Sequence, residues 1–597
     1  MMSLNAANSR DREIIFGIFI AACFFFAGLV TLGDYGITAD SPENFLWGDI
    51  YLRFFETWDM TYLKYGVGEN PLIEEPPEPI NVFYFKEMYE PWRYPPVANM
   101  ISALTHRIFH ESLLWLDDIE AHHLAILLMS AGTVYFVFVM ASEAFGFIPG
   151  AIASVSLCLF PQFIAHSHNN LKDAPMAFFF TITVYSFWRA ARTLDVRWAI
   201  TAGLFLGLSM NVKINAFFIP AIVFLWLFFT YKGGNSALGM PHAKLRGRFV
   251  SYGLRRREYP SKYNFFVVAF MTVITVYATW PYLWGMPLKG LLESLRYFSD
   301  AGVETPTIYN GAFYPSSNLL PPYYAPHYLL IVTPPVLLVF IALGLWQMGG
   351  YLRSKGTGQS ETADMSLLLL IWIAVPLMKY AIPGSIVYHG IRHFLEVLPP
   401  LCIVAGLGGE RIYRFAKSVL CRENEVLSRV AAMFVLSLLF LPLILTIVEI
   451  HPYEVSYFNF LVGGIKGAEG RYELDYWCSS FKEAGEWLAK RQGPETAIIV
   501  PLQWDVAMYY VKTNLMPRDR NYIVLWNSPA HYNISWIPQV MRDVITHVRE
   551  KETPVHVVEV DGAALASVYE LNKSAMMSIY GKDYVSMPSC YTRRAAC

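Results

Sequence analysis

Residues 169–180 read NNLKDAPMAFFF, which sets two charges, Lys172 and Asp173, directly against an apolar run that continues through Tyr185. Charge beside a membrane-crossing segment is costly, so the pair points to helix-end electrostatics or to a polar site at a membrane face. Pro175 suits the first turn of a helix and favours the first reading. The His-rich approach, AHSHNNLKD over residues 165–173, favours the second, because snorkelling of a lysine to headgroups explains neither the carboxylate nor the imidazoles.

Composition decides whether a membrane is involved. Over 597 residues, 55% are hydrophobic and 16% aromatic while only 16% are charged, too apolar for a set of soluble domains. The net charge of −2 provides no basic footprint for nucleic acid, which excludes that partner. None of the seven cysteines forms a CxxC pair or a zinc-spaced cluster. Cys23, Cys158 and Cys402 fall in apolar runs and read as packing residues, whereas Cys478, Cys590 and Cys597 fall in a polar tail where one disulfide is expected only in an oxidising compartment.

A span needs about 20 apolar residues. Ile14 to Leu32, after Arg10 and Arg12, is long for a signal peptide and reads as an anchor. Further runs lie near 121–141, 147–165, 174–192, 198–212, 214–231, 263–284, 326–349, 366–383, 392–410 and 429–449, giving an α-helical polytopic membrane protein of about 11 transmembrane helices over residues 1–450. Basic residues collect in alternate loops: Arg189, Arg192 and Arg197; Lys244, Arg246, Arg248 and Arg255 to Arg257; Arg353 and Lys355; Arg411, Arg414, Lys417 and Arg422. By the positive-inside rule these loops and the N-terminus are cytoplasmic and the tail is outside. The tail, 451–597, mixes helical stretches with β-branched runs (TAIIV, NYIVLW, PVHVVEV) and reads as a small extracytoplasmic α/β domain. The first outer loop, 33–120, mixes aromatic and charged residues in the manner of interfacial amphipathic helices.

On that topology the unusual ionisable residues share one face. Asp34, Asp40 and Glu43 follow the first span; Arg93 precedes Pro95 and Pro96; His166, His168, Lys172 and Asp173 join spans three and four; Lys213 lies between spans five and six; His389, Arg392, His393 and Glu396 open span ten. Charges gathered at one membrane face make that face the candidate active site.

These segments resemble a family. HSHNNLKDAPMAFFF (166–180) looks like the second acidic motif of the lipid-phosphosugar-dependent glycosyltransferases of the protein O-mannosyltransferase and aminoarabinose-transferase kind, which have the GT-C membrane fold. YGITADSPENFLWGD (35–49) is similar to the family's first-loop acidic motif, and RYPPVANMIS (93–102) to its Pro-Pro stretch. LGLSMNVKINAFFIP (206–220) is similar to the segment whose lysine faces the donor phosphate, and GIRHFLEVLPPL (390–401) to an Arg-containing late span. The family usually has Asp-Glu at the first motif, where this chain has Asp40 and Ser41 with Glu43 next, and often a basic residue before Pro-Pro, where this chain has Tyr94.

The resemblance implies transfer of a sugar, with inversion, from a polyprenyl-phosphate donor to an acceptor hydroxyl at the outer face. It makes Asp40 the general base, with Glu43 a substitute partner carboxylate and Asp173 the orienting one. Lys213 and Arg392 grip the phosphate, while Arg93, His168, Lys172, His389 and His393 line the substrate site. A protein, a glycolipid or a polysaccharide would serve as acceptor, and a bacterial inner membrane with the site on the periplasmic side is the expected location. No particular cofactor is assigned; a divalent cation on Asp40, Glu43, Asp173 and His168 is an alternative without metal-ligand spacing behind it. A transporter or flippase would instead place ionisable groups in broken helices near mid-membrane, often with an internal repeat, and no repeat is visible. The segment His451 to Trp477 also resembles a stretch of bacterial members and is expected to cover the acceptor entrance; Gly463 and Gly464 permit its tight turns.

Overall fold

A computed structural model describes residues 2–60, 95–235, 262–353, 360–421, 423–500, 506–507, 509–511, 518–527 and 539–580. Arg93, the basic cluster Lys244 to Arg257, Lys355, Arg422, Cys590 and Cys597 lie outside the described residues. The helices in chain order are α1 (Met2–Val30), α2 (Ser41–Thr57), α3 (Val97–His106), α4 (Asp118–Phe145), α5 (Phe147–Cys158), α6 (Pro161–Asn169), α7 (Asp173–Thr193), α8 (Val196–Met210), α9 (Phe218–Asn235) and α10 (Lys262–Thr279). They continue with α11 (Pro287–Asp300), α12 (Tyr324–Val332), α13 (Pro335–Arg353), α14 (Ser360–Tyr380), α15 (Leu398–Val419) and α16 (Glu425–Ile450), then α17 (Phe481–Ala489), α18 (Gln539–Lys551) and α19 (Lys573–Tyr580) in the tail.

Every apolar run expected to span is helical, so the chain is an α-helical polytopic membrane protein. By length and composition five of the described helices are sufficient to cross a membrane, or six when the bent pair α5 and α6 counts as one. The runs are less uniform than the sequence implies. The 147–165 run bends by 63° between α5 and α6, where Phe160 is extended ahead of Pro161. The 326–349 run breaks at Thr333, also extended, ahead of Pro334 and Pro335. Both breaks follow from the clash between a proline ring and a preceding α-helical residue.

Between apolar helices in lipid the hydrophobic effect is weak, and close packing of small residues carries association. A Cβ on Gly344 of α13 would fall 1.9 Å from the Val404 carbonyl oxygen, and one on Gly408 of α15 would fall 1.8 Å from that of Phe340. Only glycine allows these backbones to meet. Between α4 and α7, Glu143 accepts a charge-assisted bond from Arg189 at 2.7 Å, close to the C-terminal ends of both helices.

The first loop contains the expected helices α2 and α3, which pack together. An amphipathic α11 and the hairpin β1 (Thr307–Tyr309) and β2 (Ala312–Tyr314) follow α10, where the sequence reading has only a connector. The tail holds β3 (Thr496–Ile499), β4 (Arg520–Trp526), β5 (His556–Val560) and β6 (Ala563–Asn572) in the order β3-β4-β6-β5. β3 pairs parallel with β4, and the other pairings are antiparallel. β5 and the long central β6 are joined by Asp561 and Gly562, both at positive φ. The tail is tied to the first loop: Lys482 Nζ donates to the Gly33 carbonyl, and the Tyr510 hydroxyl accepts the Ile37 N–H at 3.0 Å.

Candidate active site

Chain reversals that follow α1, α6, α8 and α14 converge at one end of the helical body. At the first, Ser41 turns the chain rather than adding a second acid. Its hydroxyl accepts the Thr38 N–H at 3.0 Å and meets the Thr38 hydroxyl at 2.9 Å. Asp40 precedes α2 without capping it, so its carboxylate remains available; Arg392 Nη1 reaches its Oδ2 at 3.2 Å.

At the second reversal Asn170 uses its whole amide. Its Oδ1 accepts the N–H groups of Lys172 at 3.0 Å and Asp173 at 2.7 Å, while its Nδ2 donates to Asp173 Oδ2 and to His166 Nδ1, each at 2.9 Å. His166 Nδ1 therefore accepts, which leaves the ring proton on Nε2 to donate to the Tyr476 hydroxyl at 3.1 Å. Asn170, not Asp173, terminates the loop against α7. The Asp173 carboxylate instead forms an ion pair with Lys213.

Lys213 follows α8 in extended conformation, ahead of a short 3-10 turn (Ile214–Phe217). Asn211 anchors this break through the Val276 carbonyl at 2.8 Å and the Thr279 hydroxyl at 2.7 Å, and Asn215 donates to the His393 carbonyl and the Glu396 carboxylate. Arg392 opens a 3-10 stretch before α15 and lies over the rings of Trp477 at 5.0 Å and Tyr388 at 5.2 Å. Trp477 in turn accepts the Ala39 N–H on its carbonyl at 3.2 Å and packs edge-on to His166. The stretch after α16 thus joins the two ion pairs.

The two pairs differ in access. The Asp40 side chain is 40% exposed, whereas that of Asp173 is 4% exposed. Lys172 senses both centres: burial pulls its ammonium below its ordinary pKa, the Asp40, Glu43 and Asp173 carboxylates oppose that pull, and Arg392 adds to it.

Other residues read from the sequence stand further out. His168 directs Nδ1 to the Ile164 carbonyl at 2.8 Å and Nε2 to the Thr31 hydroxyl at 3.2 Å, and stacks on Tyr35. It serves the end of α1, and the divalent-cation alternative loses its imidazole. His389 stacks on Tyr476 at 5.4 Å and His393 lies against Tyr388 at 4.4 Å, both behind Arg392. The sequence reading omits Asn170, Tyr388, Tyr476 and Trp477; the run YELDYW (472–477) carried the last two without any local sign of chemistry.

Residues 93–251, which carry Asp173 and Lys213, match the family described as dolichyl-phosphate-mannose-protein mannosyltransferase. The match covers about a quarter of the chain and both members of the buried Asp173–Lys213 pair. No curated protein matches the sequence. Among solved structures, the chain is similar to ArnT from Cupriavidus metallidurans bound to undecaprenyl phosphate, at a TM-score of 0.47 and 14% identity over 93% of this chain and 97% of that one. Similarity to the Archaeoglobus fulgidus oligosaccharyltransferase in the apo form has a TM-score of 0.45 and 12% identity, over 84% of this chain and 63% of that one.

Proposed function

We propose that the protein transfers a hexosyl or pentosyl group, with inversion, from a polyprenyl-phosphate donor to an acceptor hydroxyl at the outer face of its membrane. The observation that carries this reading is the pairing of an accessible carboxylate, Asp40, with Arg392 beside the buried Asp173–Lys213 pair, within and next to the family-matched segment.

Asp40 takes the acceptor proton. As the acceptor oxygen bonds to the anomeric carbon, the bond from that carbon to the phosphate oxygen breaks and its electron pair leaves on the phosphate. The developing phosphate charge needs cations more than it needs a proton. Arg392, already flanked by two aromatic faces, exchanges Asp40 for phosphate oxygens, which frees the carboxylate to act as base. Lys213 is held beside this exchange by Asp173, whose orientation is set by Asn170 and His166. Glu43 and Lys172 complete the polar rim. Arg93, His389 and His393 are assigned to the substrate surroundings.

The test is incubation of the purified protein with a panel of polyprenyl-phosphate sugars, together with protein, glycolipid and polysaccharide acceptors. Acceptor-dependent release of polyprenyl phosphate is the expected result. Intact donor across the whole panel, or donor movement between leaflets without bond cleavage, would reject the reading in favour of a transporter.

A further inference from the structure

Away from the paired carboxylates, one ring nitrogen of His106, one of His110 and one carboxylate oxygen of Asp118 lie within 4.8 Å of one another. These residues join the end of α3 to the start of α4. His106 and His110 are spaced four apart, so they project from adjacent turns, and their rings stack with centroids 4.9 Å apart. From Arg107 to Ser112 the helix continues as a π turn, a rare geometry found frequently at functional sites.

Three details favour a cation over a simple His–carboxylate contact. His106 Nε2 is buried and 2.8 Å from Asp118 Oδ1, yet the two lack hydrogen-bond alignment. A ligand pair converging on a third atom produces that relationship. His110 Nδ1 is 3.0 Å from the Leu116 carbonyl oxygen, which can only accept, so the ring proton is on Nδ1 and the Nε2 lone pair is free. A backbone carbonyl holding the second nitrogen is the usual companion of a metal-bound imidazole. The charge balance is also favourable: Glu111 lies 3.6 Å from His106 Nδ1, while the neighbouring cation Arg107 is committed to Asp49 and Glu56.

We propose that His106, His110 and Asp118 bind a divalent transition-metal ion, with zinc the best match to two imidazoles and one carboxylate. Water would fill the fourth position, and Glu111, on the Nδ1 side of His106, would orient that ring from behind. The ion clips the first-loop helix pair to α4. The far end of α3 is already fixed, since the Val97 N–H donates to the Asn211 carbonyl at 3.0 Å beside Lys213. The role is therefore structural, holding the loop that presents Asp40, and it does not depend on the sugar-transfer reading.

The experiment uses the full chain in detergent, stripped with a chelator and then given one equivalent of zinc or cobalt(II). The expected results are one zinc retained per chain after gel filtration, a higher melting temperature with zinc, and visible cobalt d–d bands of a low-coordinate site. His110→Ala and Asp118→Asn should each reduce retained zinc by about 10-fold or more and remove the zinc-dependent shift. His547→Ala, remote in the tail, should bind as the parent does. Parent protein that retains no more zinc than His110→Ala, or that shows no cobalt bands, would overturn the proposal. The cobalt spectrum needs no variant, so a His110 substitution that misfolds leaves the test decisive.

Discussion

Asp40 and Arg392, 352 residues apart in the chain, meet at 3.2 Å where the start of the first loop crosses the approach to α15. The proposed base is thus stored as an ion pair with the proposed phosphate ligand, which couples donor binding to activation of the acceptor.

Asp40→Asn should reduce transfer by about 10²–10⁴-fold, the usual contribution of a positioned base. Donor affinity should hold or increase, because the guanidinium no longer has a carboxylate competing for it. Turnover and donor binding, measured separately, check both halves. Glu43→Gln should cost far less unless Glu43 shares the duty of base.

Lys213→Ala should weaken donor binding and also destabilise the fold by about 3–5 kcal/mol, because it leaves the buried Asp173 carboxylate without its partner. Adding Asp173→Asn should restore much of the melting temperature without restoring transfer. A double-mutant cycle on melting temperature and turnover separates the two roles.

Trp477→Ala should lower donor affinity by about 3–30-fold, the range of a cation–π contact, whereas Trp477→Phe should retain most of it. Binding of a polyprenyl phosphate to each variant reads this directly.

His451 predicts a pH dependence. Its hydrogen bonds to Glu454 and Asp34 raise its pKa from 6.5 to about 9. A raised folded-state value means the stabilisation is fully present below about 6.5 and is lost as pH rises through about 9. Melting curves from pH 6 to 10 should show an alkaline decline in the parent that is smaller in His451→Gln.

Orientation can be checked by labelling. A cysteine introduced near Lys551 should react with an impermeant reagent from outside, and one near Asp195, between the basic ends of α7 and α8, should not. The reverse pattern would move the proposed site to the cytoplasmic face.

The sequence by itself determined the helical membrane architecture, because spans are long apolar runs and their signal is local. It also determined Asp40, Asp173, Lys213 and Arg392 as candidates, because charges at span ends are conspicuous against apolar neighbours. Three tail strands were legible as β-branched runs, whereas β6, with Ala563, Ala564 and Ala566, was not, since alanine has no strand preference and its place was decided by pairing with β4 and β5. Only the tertiary structure decided which carboxylate meets which cation. Pairing across hundreds of residues depends on how the reversals stack, and no periodicity records that. The same reason explains why His168 serves α1 and Trp477 supports Arg392: each role is fixed by a partner distant in the chain.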